Sequence, residues 1–130
     1  MKQLLWIGLG SGLGGSLRYS LDLLAANAGL AALPVSTLFI NLSGSWLIGY
    51  LAGLWTKGGV VEVDPHKWHF WITGFCGGYT TFSVFSSQVI DLVRQGEGTL
   101  AGAYAAGSVG LGLIAVGWGL SLAMRRKRGL

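Results

Sequence analysis

The chain has little charge. Asp, Glu, Lys and Arg make up 11% of its 130 residues, and nine bases outnumber five acids for a net charge of +4. Soluble domains carry about a quarter charged residues, so the material for a water-facing surface is missing. Cysteine is nearly absent as well. Cys76 stands alone, which excludes an intrachain disulfide and leaves the redox compartment unreadable; within an apolar run it reads as a small packing residue. The most consequential lack is positional, because no Asp, Glu, Lys, Arg or His falls near the centre of any long apolar stretch. Proton-coupled carriers rest on a titrating group inside the membrane, so that class is weakened. Nucleic-acid binding is weakened too, since no folded soluble surface exists to carry a basic patch.

What is present is apolar. Hydrophobic residues make up 52% of the chain, and mean hydropathy is +0.58. The charges cluster at Lys2, at Arg18 and Asp22, at Lys57 to Lys67, at Asp91 to Glu97 and at Arg125 to Arg128. Between them lie four apolar runs, Lys2–Ala26, Thr37–Thr56, Trp68–Val93 and Thr99–Met124. Each is about 20 residues or more, the length needed to cross a hydrocarbon core of roughly 30 Å. The expected fold is therefore an all-α integral membrane protein, one domain over residues 1–130 with four transmembrane helices. Ala26-Asn27-Ala28 imitates a signal cleavage site, but Arg18 and Asp22 intervene and three further spans follow, so cleavage is not expected. Four spans put Lys2, Lys57, Lys67 and the tail "RRKR" on one side, with Arg18 and Arg94 on the other. The positive-inside rule then places both termini in the cytoplasm, with the tail supplying most of the bias and an anchor to anionic headgroups.

Local signals refine this outline. Asp64-Pro65 reads as a helix start, Asp as N-cap and Pro at the first helical position. His66 and His69 sit on that first turn and read as interfacial residues, because no acidic or cysteine partner converges to complete a metal site. Trp6, Trp55, Trp68 and Trp71 suit an aromatic belt, while Trp46 and Trp118 lie deeper and read as packing. Glycines recur at helical spacing: Gly8 with Gly12, Gly10 with Gly14, Gly49 with Gly53, and Gly102 with Ala106 and Gly110. Small residues four apart let backbones approach closely in lipid. Gly10-x-Gly12-x-x-Gly15 imitates a dinucleotide fingerprint but lacks the strand and βαβ unit that motif needs.

The polar residues left within the runs are neutral: Asn41, Thr80, Thr81, Ser83, Ser86, Ser87, Tyr104 and Ser108. Neutral donors suit a path on which an ion sheds water gradually and is never held too tightly to leave. They also suit interhelical hydrogen bonding, worth about 0.6 to 2 kcal/mol each, and Ser86 and Ser87 fit that role better. Asn41 differs, because a buried amide needs several partners. "GFCGGYTTFSVFSSQ", Gly74 to Gln88, stands out within the third run. Gly77-Gly78-Tyr79-Thr80-Thr81 is permissive of a helix break, and unwound backbone at membrane depth survives only where protein buries it or it lines a cavity. Phe82 and Phe85 share a helix face at i, i+3.

Four segments together resemble the Fluc fluoride channels, also called CrcB proteins. "GSGLGGSLRY" (Gly10–Tyr19) is similar to that family's glycine-rich first helix, and "TLFINLSGSWLIG" (Thr37–Gly49) to its second. "GFCGGYTTFSVFS" (Gly74–Ser86) is similar to its broken third helix with paired phenylalanines, and "AYAAGS" (Ala103–Ser108) more weakly to the fourth. The resemblance implies a third helix broken near the membrane centre and an antiparallel dual-topology dimer in the inner (plasma) membrane. Fluoride would leave the cell passively through it, limiting toxicity, with no enzymatic step. It places Phe82, Phe85, Asn41, Ser83, Tyr104 and Ser108 along the fluoride path and Arg18 at a vestibule. It also places the backbone carbonyls of Gly77 and Thr80 on a structural sodium ion (Na+) at the dimer centre.

Two departures qualify the match. Val84 stands where the family commonly has threonine, removing a hydroxyl beside the phenylalanines, and Gly15 stands where alanine is frequent. The "RRKR" bias also bears on assembly, so the homodimer is expected with a pair of homologous, oppositely oriented chains as the alternative. Two other functions compete with the channel: a small proton-coupled multidrug exporter, and a non-transporting assembly subunit.

Overall fold

The computed structural model describes residues 1–30, 34–57 and 59–129. Gly58, within the expected Lys57–Lys67 loop, lies outside the described residues. The chain is mostly helical: α1 (Lys2–Asn27), α2 (Val35–Trp55), α3 (Pro65–Trp68), a π-helical segment (His69–Cys76), α4 (Gly77–Tyr79), α5 (Ser83–Arg94) and α6 (Gly98–Arg128). α2 and α6 are each long and apolar enough to cross a membrane by length and composition. The surface is apolar as well, with Leu4, Leu13, Phe39, Leu113 and Ile114 all turned outward. A chain whose large side chains face outward along its helices is built for an apolar surrounding.

The ends of these helices follow from local chemistry. Gly29, at φ +76°, closes α1 in a Schellman turn: its N–H donates to Ala26 C=O, and Leu30 N–H donates to Ala25 C=O. Gly96, at φ +82°, does the same for α5, with Gly96 N–H on Val93 and Glu97 N–H on Leu92. That turn lets α6 begin at once, at Gly98. Asp64 caps α3 as expected, its Oδ1 accepting from His66 N–H at 2.7 Å, with Pro65 in the first turn. A two-residue hairpin absent from the sequence reading pairs Thr56 with Val61 and Lys57 with Val60. α6 also runs four residues beyond the expected Met124, carrying "RRKR" as helix. Arg126 there donates to Tyr50 Oη and Lys127 to Thr56 C=O, both at 2.8 Å.

The helices associate in pairs through glycine. α1 lies parallel to the Pro65–Tyr79 rod, and a methyl at Gly10 or Gly14 would overlap the carbonyl oxygens of Phe70 or Phe75. α2 lies parallel to α6, where a methyl at Gly49 would overlap Val116 C=O and one at Gly119 would overlap Trp46 C=O. Backbones this close gain van der Waals contact along their whole length, which is how helices adhere where lipid removes the hydrophobic drive. Two of the expected small-residue stripes do not act this way within the chain. Gly8, Gly12, Gly102 and Gly110 all have open space where a Cβ would stand, and Ala106 is exposed. They lie on outer faces of their helices.

The third apolar run departs most from its expected outline. Helix starts at Pro65 rather than Trp68, passes through the π-helical segment, and stops at Tyr79. Thr80 is extended, at φ −81° and ψ 162°, and helix resumes at Ser83. The two halves keep different company: the rod before the interruption packs on α1, and α5 packs on α6. The core lies at this crossing, where Ile40 of α2 meets Phe75, Cys76 and Tyr79.

Candidate functional site

The interruption is held by one side chain. Asn41 Nδ2 donates to Thr81 C=O, and Asn41 Oδ1 accepts from Thr81 N–H, each at 2.9 Å. The carboxamide thus satisfies both polar groups of one unwound residue, as a β-ladder partner would. Thr81 N–H is the donor that Gly77 C=O would receive in a continuous helix. Val84 N–H, the corresponding donor for Thr80 C=O, bonds instead to Thr81 Oγ1 at 3.2 Å. Both carbonyls are therefore released from their regular helical donors. Gly77 is exposed, and a methyl there would meet nothing within 4 Å, so this backbone is open to approach from outside the chain. Neighbouring Gly78 C=O is contacted by Arg18 Nε at 3.5 Å, while Arg18 also lies 3.8 Å from Asp22.

Beside the interruption, residues of α2, α5 and α6 border an open groove of about 380 Å³. Asn41, Thr80, Thr81, Phe82, Phe85 and Ser108 line it, with Gly44, Ser45 and Gly112 giving it depth. None of its lining residues is ionisable. Phe82 sits just before α5, and 78% of it is exposed. Its ring centroid is 5.7 Å from that of Phe85, which lies 5.4 Å from Tyr104. Ser108 Oγ is buried and has no hydrogen-bond partner among the described residues. A hydroxyl in that condition keeps an unused donor, and leaving one costs about 1–3 kcal/mol unless something fills it.

The residues singled out from sequence divide four ways. Asn41, Thr80, Phe82, Phe85 and Ser108 meet at the groove. Tyr104 is buried behind Phe85, and its hydroxyl donates to Gln88 Oε1 at 2.9 Å. Ser83 is exposed beside the groove, with its Oγ 3.3 Å from Thr81 Oγ1. Arg18 and Gly77 lie outside the groove lining. Gln88 and Thr37 had not been singled out. Gln88 Nε2 donates to buried Thr37 Oγ1 at 3.0 Å, completing a Tyr104–Gln88–Thr37 relay across α6, α5 and α2. The available signal was spacing: Gln88 follows Phe85 by three residues, on the same helix face.

Comparison with known proteins bears on the same segments. A 45% identical relative from Paramagnetospirillum magneticum, named Fluoride-specific ion channel FluC, aligns over 111 residues, 85% of this chain and 86% of its own length. Relatives of the same name from Rhizobium meliloti and Flavobacterium psychrophilum are 43% and 41% identical. They cover 94% and 95% of this chain, and 96% and 98% of their own lengths. The family model described as CrcB-like protein, Camphor Resistance (CrcB), matches residues 5–120. That match takes in all or most of every helix and both halves of the interrupted run, so the chain belongs to the CrcB-like protein family.

Proposed function

We propose that the chain is a fluoride-selective ion channel that lets fluoride leave the cell passively across the inner membrane. The observation that carries this reading is the similarity, over nearly the whole chain, to relatives named as fluoride-specific channels. The groove gives the reading a physical form. Aromatic ring edges carry positive potential, so Phe82 and Phe85 offer an anion favourable contact without a fixed charge. The unpartnered Ser108 hydroxyl adds a neutral donor, and the absence of ionisable lining avoids a deep trap. Binding is then strong enough for entry and weak enough for exit.

In the proposed architecture residues 1–130 form one unit that crosses the membrane four times, the third crossing being the interrupted run. Two such chains, oppositely oriented, form the dimer. The outward-facing Gly77 and the outer small-residue stripes of α1 and α6 support a second chain seated closely there. The carbonyls of Gly77 and Thr80, relieved of helical donors, fit a sodium site between the two chains, since hard cations take carbonyl oxygens. Sodium would supply a positive charge that satisfies these acceptors. Arg18 near Gly78 C=O would attract anions toward the entrance, and Tyr104 and Ser83 would flank the path.

Fluoride efflux from proteoliposomes containing only this chain, with chloride as the control ion, tests the proposal. Rapid fluoride release without chloride release is expected. Folded protein that releases neither ion, or both alike, would overturn it.

A further inference from the structure

A second cavity, of about 460 Å³, lies at the end of the molecule where α1 begins and the Pro65–Tyr79 rod starts, lined by Trp6, Asp64, His66, Lys67, Phe70 and Trp71. Pockets of this size suit small-molecule groups. Its walls are aromatic: the Trp6 ring is 6.0 Å from the His66 ring and 6.1 Å, edge-on, from Phe70, which meets Trp71 at 5.1 Å. Trp6 and Trp71 are still 41% and 39% exposed, so their faces are available. The rim carries Asp64 and Lys67, three residues apart and of opposite charge. Neither forms an ion pair among the described residues. One Asp64 oxygen caps His66 N–H, which leaves the other free. His66 Nδ1 is buried without a hydrogen-bond partner among the described residues.

We infer that this pocket binds the headgroup of an aminophospholipid, phosphoethanolamine being the group it fits. The unmet chemistry has two parts. Asp64 is an acceptor that calls for a cationic donor, and the surrounding rings favour a cation over their faces. Lys67 calls for an anion such as a phosphate. A primary ammonium joined to a phosphate meets both, whereas a quaternary choline has no N–H to donate and a phosphoglycerol has no cation. Position selects the lipid over a soluble amine. The same end of the molecule carries Lys2, the hairpin and the Arg125–Arg128 turn, and its tryptophans sit where apolar helix gives way to charge, as at a headgroup layer. The inference rests on the membrane-spanning reading and not on fluoride conduction.

The test uses the full chain in detergent, mixed with short-chain phosphatidylethanolamine, phosphatidylcholine or phosphatidylglycerol, and counts bound lipid by native mass spectrometry. Phosphatidylethanolamine should be retained preferentially. Asp64→Asn keeps the helix cap but removes the charge, and should weaken that retention by about fivefold, the scale of an exposed ion pair, with phosphatidylglycerol adducts unchanged. Equal retention of the three lipids, or no effect of Asp64→Asn, would overturn the assignment. Full competition by free phosphoethanolamine would overturn the lipid source. Recovery of the expressed chain in the membrane fraction is a separate check on the spanning reading, and fluoride efflux by the same variant is a separate check on the channel.

Discussion

Replacing Asn41 tests whether one carboxamide keeps the third run open. In Asn41→Ala both bonds to Thr81 vanish, each 2.9 Å long, and the N–H and C=O of a half-buried residue lose their partners. An unsatisfied buried polar group costs about 1–3 kcal/mol. Two groups at the lower end of that range amount to about 2 kcal/mol. The competing conformation is specific: with Asn41 gone, Thr81 N–H regains a reason to bond Gly77 C=O and rewind the helix. A shift of about 2 kcal/mol between those forms changes their ratio by roughly 30-fold. Asn41→Asp separates the two bonds, since it keeps an acceptor for Thr81 N–H but sets a second oxygen against Thr81 C=O. It also places a negative charge on the groove, where an anion would be repelled. Both variants should elute as folded protein and lose most fluoride efflux in proteoliposomes. Wild-type efflux from folded Asn41→Ala would refute the argument, because the interruption would then not depend on its clasp.

Other perturbations probe the neighbouring features. Phe82→Ile and Phe85→Ile remove the ring edges from the groove and should cut fluoride efflux with little effect on thermal stability; normal efflux from both would take the pair out of the path. Tyr104→Phe deletes the hydroxyl that donates to Gln88 and should lower stability by about 1 kcal/mol, read as a reduced melting temperature in detergent. An unchanged melting temperature would mean water replaces the bond. Gly49→Ala presses a methyl into Val116 C=O, a backbone obstacle that cannot rotate away, and should cost about 1–3 kcal/mol. Gly102→Ala, with open space around it, should leave the isolated chain's stability unchanged and would weaken dimerisation if that face meets a partner, which a cross-linking yield would report.

Much was legible in the sequence because it depended on neighbours in the chain. The ends of the apolar runs fell within a few residues of helix limits, apart from the interruption after Tyr79 inside the third. Asp64-Pro65 announced a helix start through a cap that spans two residues. The Gly77-to-Thr81 stretch read as permissive of a break, glycine and threonine being poor at sustaining helix, but helix runs on through Tyr79 and yields only at Thr80. Composition excluded an intrachain disulfide, and the positions of the five acids weakened the intramembrane-carboxylate class. Glycine spacing, however, identified stripes without saying which ones pack inside the chain: Gly10 and Gly14 touch the rod, while Gly8 and Gly12, two residues away, face outward.

What tertiary structure decided was where distant residues meet. Asn41 and Thr81 are forty residues apart, and no local pattern announces that one side chain stands in for the other's backbone partner. Spacing put Gln88 on the face of Phe85, but its partners became visible only when α2 and α6 brought Thr37 and Tyr104 to either side of it. The π-helical segment likewise lies against α1, more than forty residues away in sequence. The physical reason is the same each time. A helix end, a cap or an apolar face is settled by residues within a turn or two, whereas a hydrogen bond across helices depends on packing that brings together backbones separated by most of the chain.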